Sequence, residues 1–227
     1  MILRGIVLLC ATQLLWFGGP AASVASPQVH PAGAGCLADT AGLDPSIWNT
    51  SRGTFFGRAL GQTFLAPDTV ITRITVWRPP NQINAVGTRL FVTTVDTAQT
   101  PPRPVTQGIL QDGPTVFIRD SDPPGQLIRM DFVIEPPLVL QGPGLHAFFL
   151  QREGCDAGET IITANDADPY PNGIYWLTGR TIFGPCALRS VTSGEDHTDL
   201  IFEIEYCKTD VTPVRARSWG ELKLLYR

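Results

Sequence analysis

Lysine is almost missing from this 227-residue chain: it occurs only at Lys208 and Lys223. Between Ser26 and Cys207 the basic groups are 11 arginines, set against 19 carboxylates, for a net charge of about -8. Such a body lacks the clustered basic side chains that grip a phosphate backbone, which excludes nucleic acid as an expected partner. Histidine is scarce as well, with three residues. His30 lies in a Pro/Ala/Gly-rich stretch and His146 in an apolar one, so only His197, within Glu195-Asp196-His197-Thr198-Asp199, stands among groups that would orient an imidazole or hold a cation. A solvated turn uses the same residues. No two cysteines have C-x-x-C spacing and no histidine neighbours them in sequence, which argues against zinc. The chain has no G-x-S-x-G elbow, no H-E-x-x-H, no S-x-x-K and no phosphate-cradling Gly-rich loop, so a non-catalytic protein is expected. One catalytic class stays open, a hydrolase built on two carboxylates, because glycosidases need only a suitably spaced pair.

Long apolar runs are missing except at the N-terminus. Arg4, the apolar stretch Ile6 to Phe17 and the small residues Ser23-Val24-Ala25 read as a signal peptide over residues 1–25, with cleavage after Ala25. The stretch is short for a bilayer span, and a retained anchor is the alternative reading. Cys10 lies inside the apolar run and should leave with it. A secreted or cell-surface protein with no transmembrane anchor after cleavage is expected. Residues 26–54 read as a leader, 55–207 as a single β-sandwich domain, and 208–227 as a linker and tail. Four cysteines then remain, Cys36, Cys155, Cys186 and Cys207. An even count in an exported chain points to disulfides, with three possible connectivities. A clasp from Cys36 to Cys207 would join the two ends of the domain and leave Cys155 with Cys186.

What the chain has in abundance is short apolar segments separated by Pro, Gly, Asn and Asp, without a sustained helical period. Ile128, Met130, Phe132 and Ile134 alternate with Arg129 and Asp131; Leu200, Phe202, Ile204 and Tyr206 alternate with Glu203 and Glu205. Successive side chains of a strand point to opposite faces, so each segment is a half-buried strand. Further strands are expected at 59–65, 70–77, 89–95, 105–110, 115–118, 145–151, 160–164, 174–177 and 186–191. Turn chemistry fills the gaps, at Asp112-Gly113-Pro114 and Pro171-Asn172-Gly173 among others. The expected fold is all-β, an antiparallel jelly-roll-like sandwich. A short C-terminal amphipathic helix should follow, with Ser218 and Glu221 forming a capping box and Trp219, Leu222, Leu225 and Tyr226 along one face.

Two features point to ligands. Asn165, Asp166 and Asp168 alternate within a Pro/Gly-rich segment, which makes Asp166 and Asp168 candidate oxygen ligands for calcium; a tight surface loop uses the same residues. Trp77 falls on the strand face that carries Arg73 and Thr75, and Tyr170 sits in the Asn/Asp loop with Tyr175 and Trp176 close behind. Aromatic rings beside carboxylates and amides are what stack and hydrogen-bond a sugar, so Trp77, Tyr170, Tyr175 and Trp176 are candidate glycan-binding residues. Packing of Tyr175 and Trp176 inside the sandwich is the alternative.

Gln62-Thr63-Phe64, the strand centre Ile74-Thr75-Val76, the segment Asp168-Pro169-Tyr170-Pro171-Asn172-Gly173 and Asp199-Leu200-Ile201-Phe202 carry a resemblance to non-catalytic β-sandwich modules of exported bacterial proteins. That group is loosely similar to carbohydrate-binding jelly rolls, and the likeness spans residues 61–206. It implies the fold first and a glycan or envelope-protein partner second. The ending Trp219-Gly220-Glu221-Leu222-Lys223-Leu224-Leu225-Tyr226-Arg227 looks like a Trp-Gly-x-Leu-Lys-x-x-Tyr-Arg tail of some exported bacterial proteins, which implies sorting or docking. The functions expected are therefore a glycan-binding module or, alternatively, a structural or adhesion subunit of an extracellular or envelope assembly.

Overall fold

The computed structural model describes residues 37–54, 56–80, 87–117, 125–154, 159–180 and 186–208. The chain divides into two units, Met1–His30 and Pro31–Arg227, and all described residues belong to the second. The signal peptide, Cys36, Cys155 and the C-terminal helix expected above lie outside the described residues.

Among the described residues thirteen strands follow one another: β1 (Leu37–Gly42), β2 (Thr50–Thr54), β3 (Ala59–Ala66), β4 (Val70–Arg78), β5 (Thr88–Asp96), β6 (Arg103–Val116), β7 (Ile128–Val139), β8 (Gly144–Arg152), β9 (Thr160–Asn165), β10 (Tyr175–Thr178), β11 (Val191–Glu195), β12 (Asp199–Leu200) and β13 (Phe202–Lys208). They form a four-stranded sheet in the order β1-β13-β4-β7, a six-stranded sheet β11-β10-β3-β8-β5-β6, and a three-stranded sheet β12-β9-β2. Every pairing is antiparallel.

The alternating segments explain the sandwich. From the four-stranded sheet, Ile74, Val76, Met130, Phe132, Ile134, Phe202, Ile204 and Tyr206 point inward. Leu60, Phe64, Leu90, Val92, Phe148, Leu150 and Tyr175 meet them from the six-stranded sheet, in one continuous core. Each large side chain so buried contributes about 1.5–3 kcal/mol, which sets the register, because a one-residue slip would turn every one of them outward. Ile162, Ala164 and Leu200 of the small third sheet join the same core. That sheet is tied to β4 by Thr163 Oγ1 donating to the Trp77 carbonyl (3.0 Å) and by Arg78 Nε donating to the Ile161 carbonyl (3.1 Å).

The six-stranded sheet also has an apolar outer face. Gly194, Trp176, Gly61, Phe149 and Phe91 are successive cross-strand partners from β11 to β5. The large rings lie across the glycines, since a Cβ on Gly61 would meet the Phe149 ring and one on Gly194 the Trp176 ring. Ala59, Ala147 and Val191 complete this second buried cluster. Its two edge strands come together: β6 and β11 approach within 8 Å between Cα atoms, Arg103 Nη2 donates to the Val191 carbonyl at 2.6 Å, and Gln107 Nε2 to Ser190 Oγ at 3.4 Å. The sheet is curved around its outer apolar face, which accounts for the burial there.

Several elements differ from the sequence reading. Strands begin at Leu37 rather than near residue 55, because β1 and β2 join sheet edges through backbone bonds and need no apolar alternation. The expected strands at 105–110 and 115–118 are one long strand, β6; Asp112-Gly113-Pro114 is an irregularity within it, with Gly113 at φ 96, instead of a chain reversal. The strand expected at 186–191 begins only at Val191 and runs to Glu195. The last strand breaks at Ile201, whose N–H turns to the Thr163 carbonyl, so Asp199 and Leu200 pair with β9 while Phe202 onward pairs with β4.

Candidate functional site

The two acidic segments singled out in the sequence meet at one polar junction, organised by a residue that neither contains. Arg52 of β2 places Nη2 2.6 Å from Asp166 Oδ1 and 2.9 Å from Thr198 Oγ1, with Nε 3.6 Å from Glu195 Oε2. Thr198 Oγ1 in turn lies 2.9 Å from Asp166 Oδ1 and 3.4 Å from Glu195 Oε2. β2 and β9 pair directly, with Arg52 opposite Ile162, and this brings the guanidinium to the end of β9 where Asp166 follows. Asn165 extends the network: its Nδ2 donates to the Ile47 carbonyl, and its Oδ1 accepts from Asn49 Nδ2 at 3.3 Å and from the Ala167 N–H at 2.8 Å.

Beneath lies a buried layer. Gln62 of β3 donates from Nε2 to Asp199 Oδ1 at 2.7 Å and accepts the Leu200 N–H on Oε1 at 3.0 Å. Asp199 Oδ2 accepts the Tyr170 N–H at 2.8 Å. Burial pushes the Asp199 carboxyl up to about 6; the Tyr170 and Gln62 hydrogen bonds pull the other way, and neighbouring Asp168 adds to the rise. The 166–173 loop closes over this layer. Asp168 turns it at φ 48, and Gly173 sits so near Gln62 that a Cβ there would strike the amide. Six- and three-stranded sheets are thereby joined through side-chain amides and a carboxylate.

The chemistry open to the junction follows from these bonds. Asp166 and Glu195 face each other within roughly 6 Å, inside the range in which paired carboxylates work on glycosidic bonds. Both are held by the same guanidinium, at 2.6 Å from Asp166 and 3.6 Å from Glu195. Asp166, one of the two candidate calcium ligands, is engaged by Arg52, which it shares with Glu195. Among the described residues no group of three His, Cys, Asp or Glu side chains gathers as a metal cage. His197 is exposed, 3.6 Å from Asp196 Oδ1.

The four rings nominated from sequence do not come together. Trp77 is 7% exposed, on the strand face opposite to Ile74 and Val76, and its backbone carbonyl accepts from Thr163 of β9. Tyr175 (1%) is in the central core and Trp176 (5%) in the outer cluster of the six-stranded sheet. Tyr170 is half-buried, edge-on to Phe202 at 5.2 Å, its hydroxyl accepting the Leu65 N–H. An indole among polar neighbours in sequence is buried here all the same. Of the exposed aromatics among the described residues, Trp48, Phe56 and Phe117, only Trp48 (38%) stands next to Asn49 of the polar junction. It ends the 3₁₀ turn Pro45–Ile47, whose start Asp44 caps through the Ser46 N–H. Asp44-Pro45, a cap followed by proline, was the signal for that turn. Cys207 on β13 and Cys186 before β11 are engaged rather than free.

No protein-family model matches the chain, and no curated protein matches it. Fold and site together define an antiparallel β-sandwich with an accessory three-stranded sheet, tied by an arginine-bridged acidic junction.

Proposed function

We propose that the chain is a secreted or cell-surface, non-catalytic jelly-roll module, closed by Cys36–Cys207 and Cys155–Cys186 bridges, that acts as a structural or adhesion subunit of an extracellular or envelope assembly. The jelly-roll reading is supported by strand order: β1-β13-β4-β7 faces β3-β8-β5-β6, the order of eight strands wound as two Greek keys, with β2 and β9 to β12 added. The assembly reading is carried by one observation. Of eight exposed large apolar side chains among the described residues, Ile109, Phe117, Val133 and Val139 lie on or directly after β6 and β7, the neighbouring edge strands of the two main sheets. Exposed apolar edges of this kind are where sheets meet partners. Sedimentation velocity of residues 26–227 tests it: the chain should self-associate, and Ile109→Ser with Phe117→Ser should weaken association at least about tenfold, the effect expected on losing central interface contacts. A wild-type chain that stays monomeric at every concentration would remove the basis of the self-assembly form of the proposal.

Glycan binding is the second reading, moved from the buried rings to Trp48, the exposed indole beside Asn49 and the Asn165/Asp166 segment. A stacked ring of this kind contributes on the order of 1–2 kcal/mol, so Trp48→Ala should reduce glycan-array binding about tenfold, with and without calcium. Unchanged binding in that variant, or none in the parent, counts against it.

A further inference from the structure

We infer that the basic amphipathic tail, residues 218–227, docks on the outer face of the four-stranded sheet of its own chain, beside Val139. Four observations converge on that face: where β13 ends, what is exposed there, its charge and the length of the connecting chain.

β13 ends at Lys208, two positions past the Tyr206–Ile71 pair, so the chain leaves the sheet beside Val70, whose partner on the edge strand is Val139. Ile71 and Leu138 point into the core; Val70 and Val139, one residue along, point outward. Val139 is 66% exposed, the most of any large apolar side chain described. Further along the same face charged residues surround the exposed Val133. Arg73 pairs with Glu205 (2.5 Å) and approaches Asp131 (3.9 Å), and Arg129 bonds Asp131 (2.9 Å) and approaches Glu203 (3.9 Å). Partial burial works against ionisation of Asp131, but the Thr75 hydroxyl and the Arg129 guanidinium together hold its carboxyl below the usual range. With exposed Glu135 the face carries four carboxylates against two guanidinium groups.

The tail complements this surface. Residues 208–227 hold five basic groups and two acidic ones, and Trp219, Leu222, Leu225 and Tyr226 fall on one side of the capped helical pattern. A helix of that length is marginal alone and needs a surface to bury its apolar side. Nine residues separate Lys208 from Ser218, enough to span about 30 Å when extended, whereas four strands measure roughly 14 Å across. So short a tether gives the tail a millimolar effective concentration over its own sheet, which favours that sheet over a second copy at ordinary dilution. Docking would take Val139 out of the apolar edge but leave Ile109 and Phe117 uncovered, so tail protection is read at Val139 and self-association through the Ile109→Ser and Phe117→Ser changes.

The test is trypsin cleavage at Lys223 in residues 26–227, timed by mass spectrometry against a synthetic peptide of residues 209–227. Docking should slow the cut at least about tenfold, since cleavage follows the undocked population. Val139→Asn, a change at an exposed position that leaves the fold intact, should return the rate to within about twofold of the peptide. Cleavage of the wild type at the peptide's rate overturns the inference, as does protection that survives in the Val139→Asn chain. Protection that disappears on dilution would assign the tail to a second copy and overturn it equally.

Discussion

Replacing Gln62 by leucine is expected to lower the stability of residues 26–227 by about 3–4 kcal/mol at pH 7, read from urea unfolding followed by tryptophan fluorescence. The side chain is fully buried, so its amide has no water to replace. It spans two sheets, giving a proton to Asp199 and taking one from the Leu200 N–H. Leucine fills a similar volume and leaves both groups unpaired: a carboxylate with one donor fewer and a backbone N–H with none of its own. Burying the unpaired charge accounts for the larger part of the loss.

The loss should depend on pH, with a sign that the Asp199 carboxyl dictates. Its folded value of about 6 lies above the ordinary 3.8. Between those values the folded chain holds a proton that the unfolded chain has released, so stability from this group is complete below about pH 4 and lost as pH rises through 6. Removing Gln62 takes away a bond that favours the anion and raises the carboxyl further. The deficit of Gln62→Leu should therefore narrow as pH falls from 7 to 5, toward about 2 kcal/mol, when a neutral acid replaces the charge. A deficit that stays constant over that interval, or one under 1 kcal/mol at pH 7, would show that Asp199 does not depend on this amide.

Legibility in the sequence tracked how local the determining forces are. Ile128, Met130, Phe132 and Ile134 in β7, and Phe202, Ile204 and Tyr206 in β13, announced their faces because period-2 alternation is a property of the strand itself; all seven are buried, six of them in the central core. β1 and β2 gave no such sign; Leu37 to Gly42 and Thr50 to Thr54 are held by ladders to β13 and β9, more than a hundred residues away. Trp77 falls on the face opposite to Ile74 and Val76, but its burial is set by contacts distant in sequence, which no local pattern reveals. Asp166 and Glu195 were legible as acidic loops, yet their meeting depends on Arg52, an unremarked residue in an edge strand. Gln62 was visible as one polar residue amid apolar neighbours. Its significance lay in a partner 137 positions on.

Gly61→Ala is expected to cost about 3 kcal/mol, a fall in Tm of about 6–12 °C for a domain of this size, measured by calorimetry. The usual benefit of replacing a strand glycine by alanine is reversed here by what lies over the position. An added Cβ would run into the Phe148 carbonyl oxygen and the Phe149 ring, with Phe149 Cε1 only 2.7 Å away. The carbonyl belongs to the β3–β8 ladder and cannot withdraw without breaking it. The ring is flanked by Phe91 and fully buried, so it cannot swing aside without exposing or displacing the outer cluster. The two obstacles can be separated by adding Phe149→Leu to the Gly61→Ala chain. Leucine alone should lose stability through the smaller side chain, but in the double variant the losses should sum to less than their total by at least about 1 kcal/mol, because the ring part of the clash is relieved. Additive losses would place the whole obstacle in the backbone and leave the ring free of Gly61. Gly194, on an exposed edge strand beneath the Trp176 ring at 2.9 Å, should tolerate alanine with a smaller loss, since that strand can yield. Glycines beneath the Phe149 and Trp176 rings are then what let the six-stranded sheet carry a second apolar layer on its outer face.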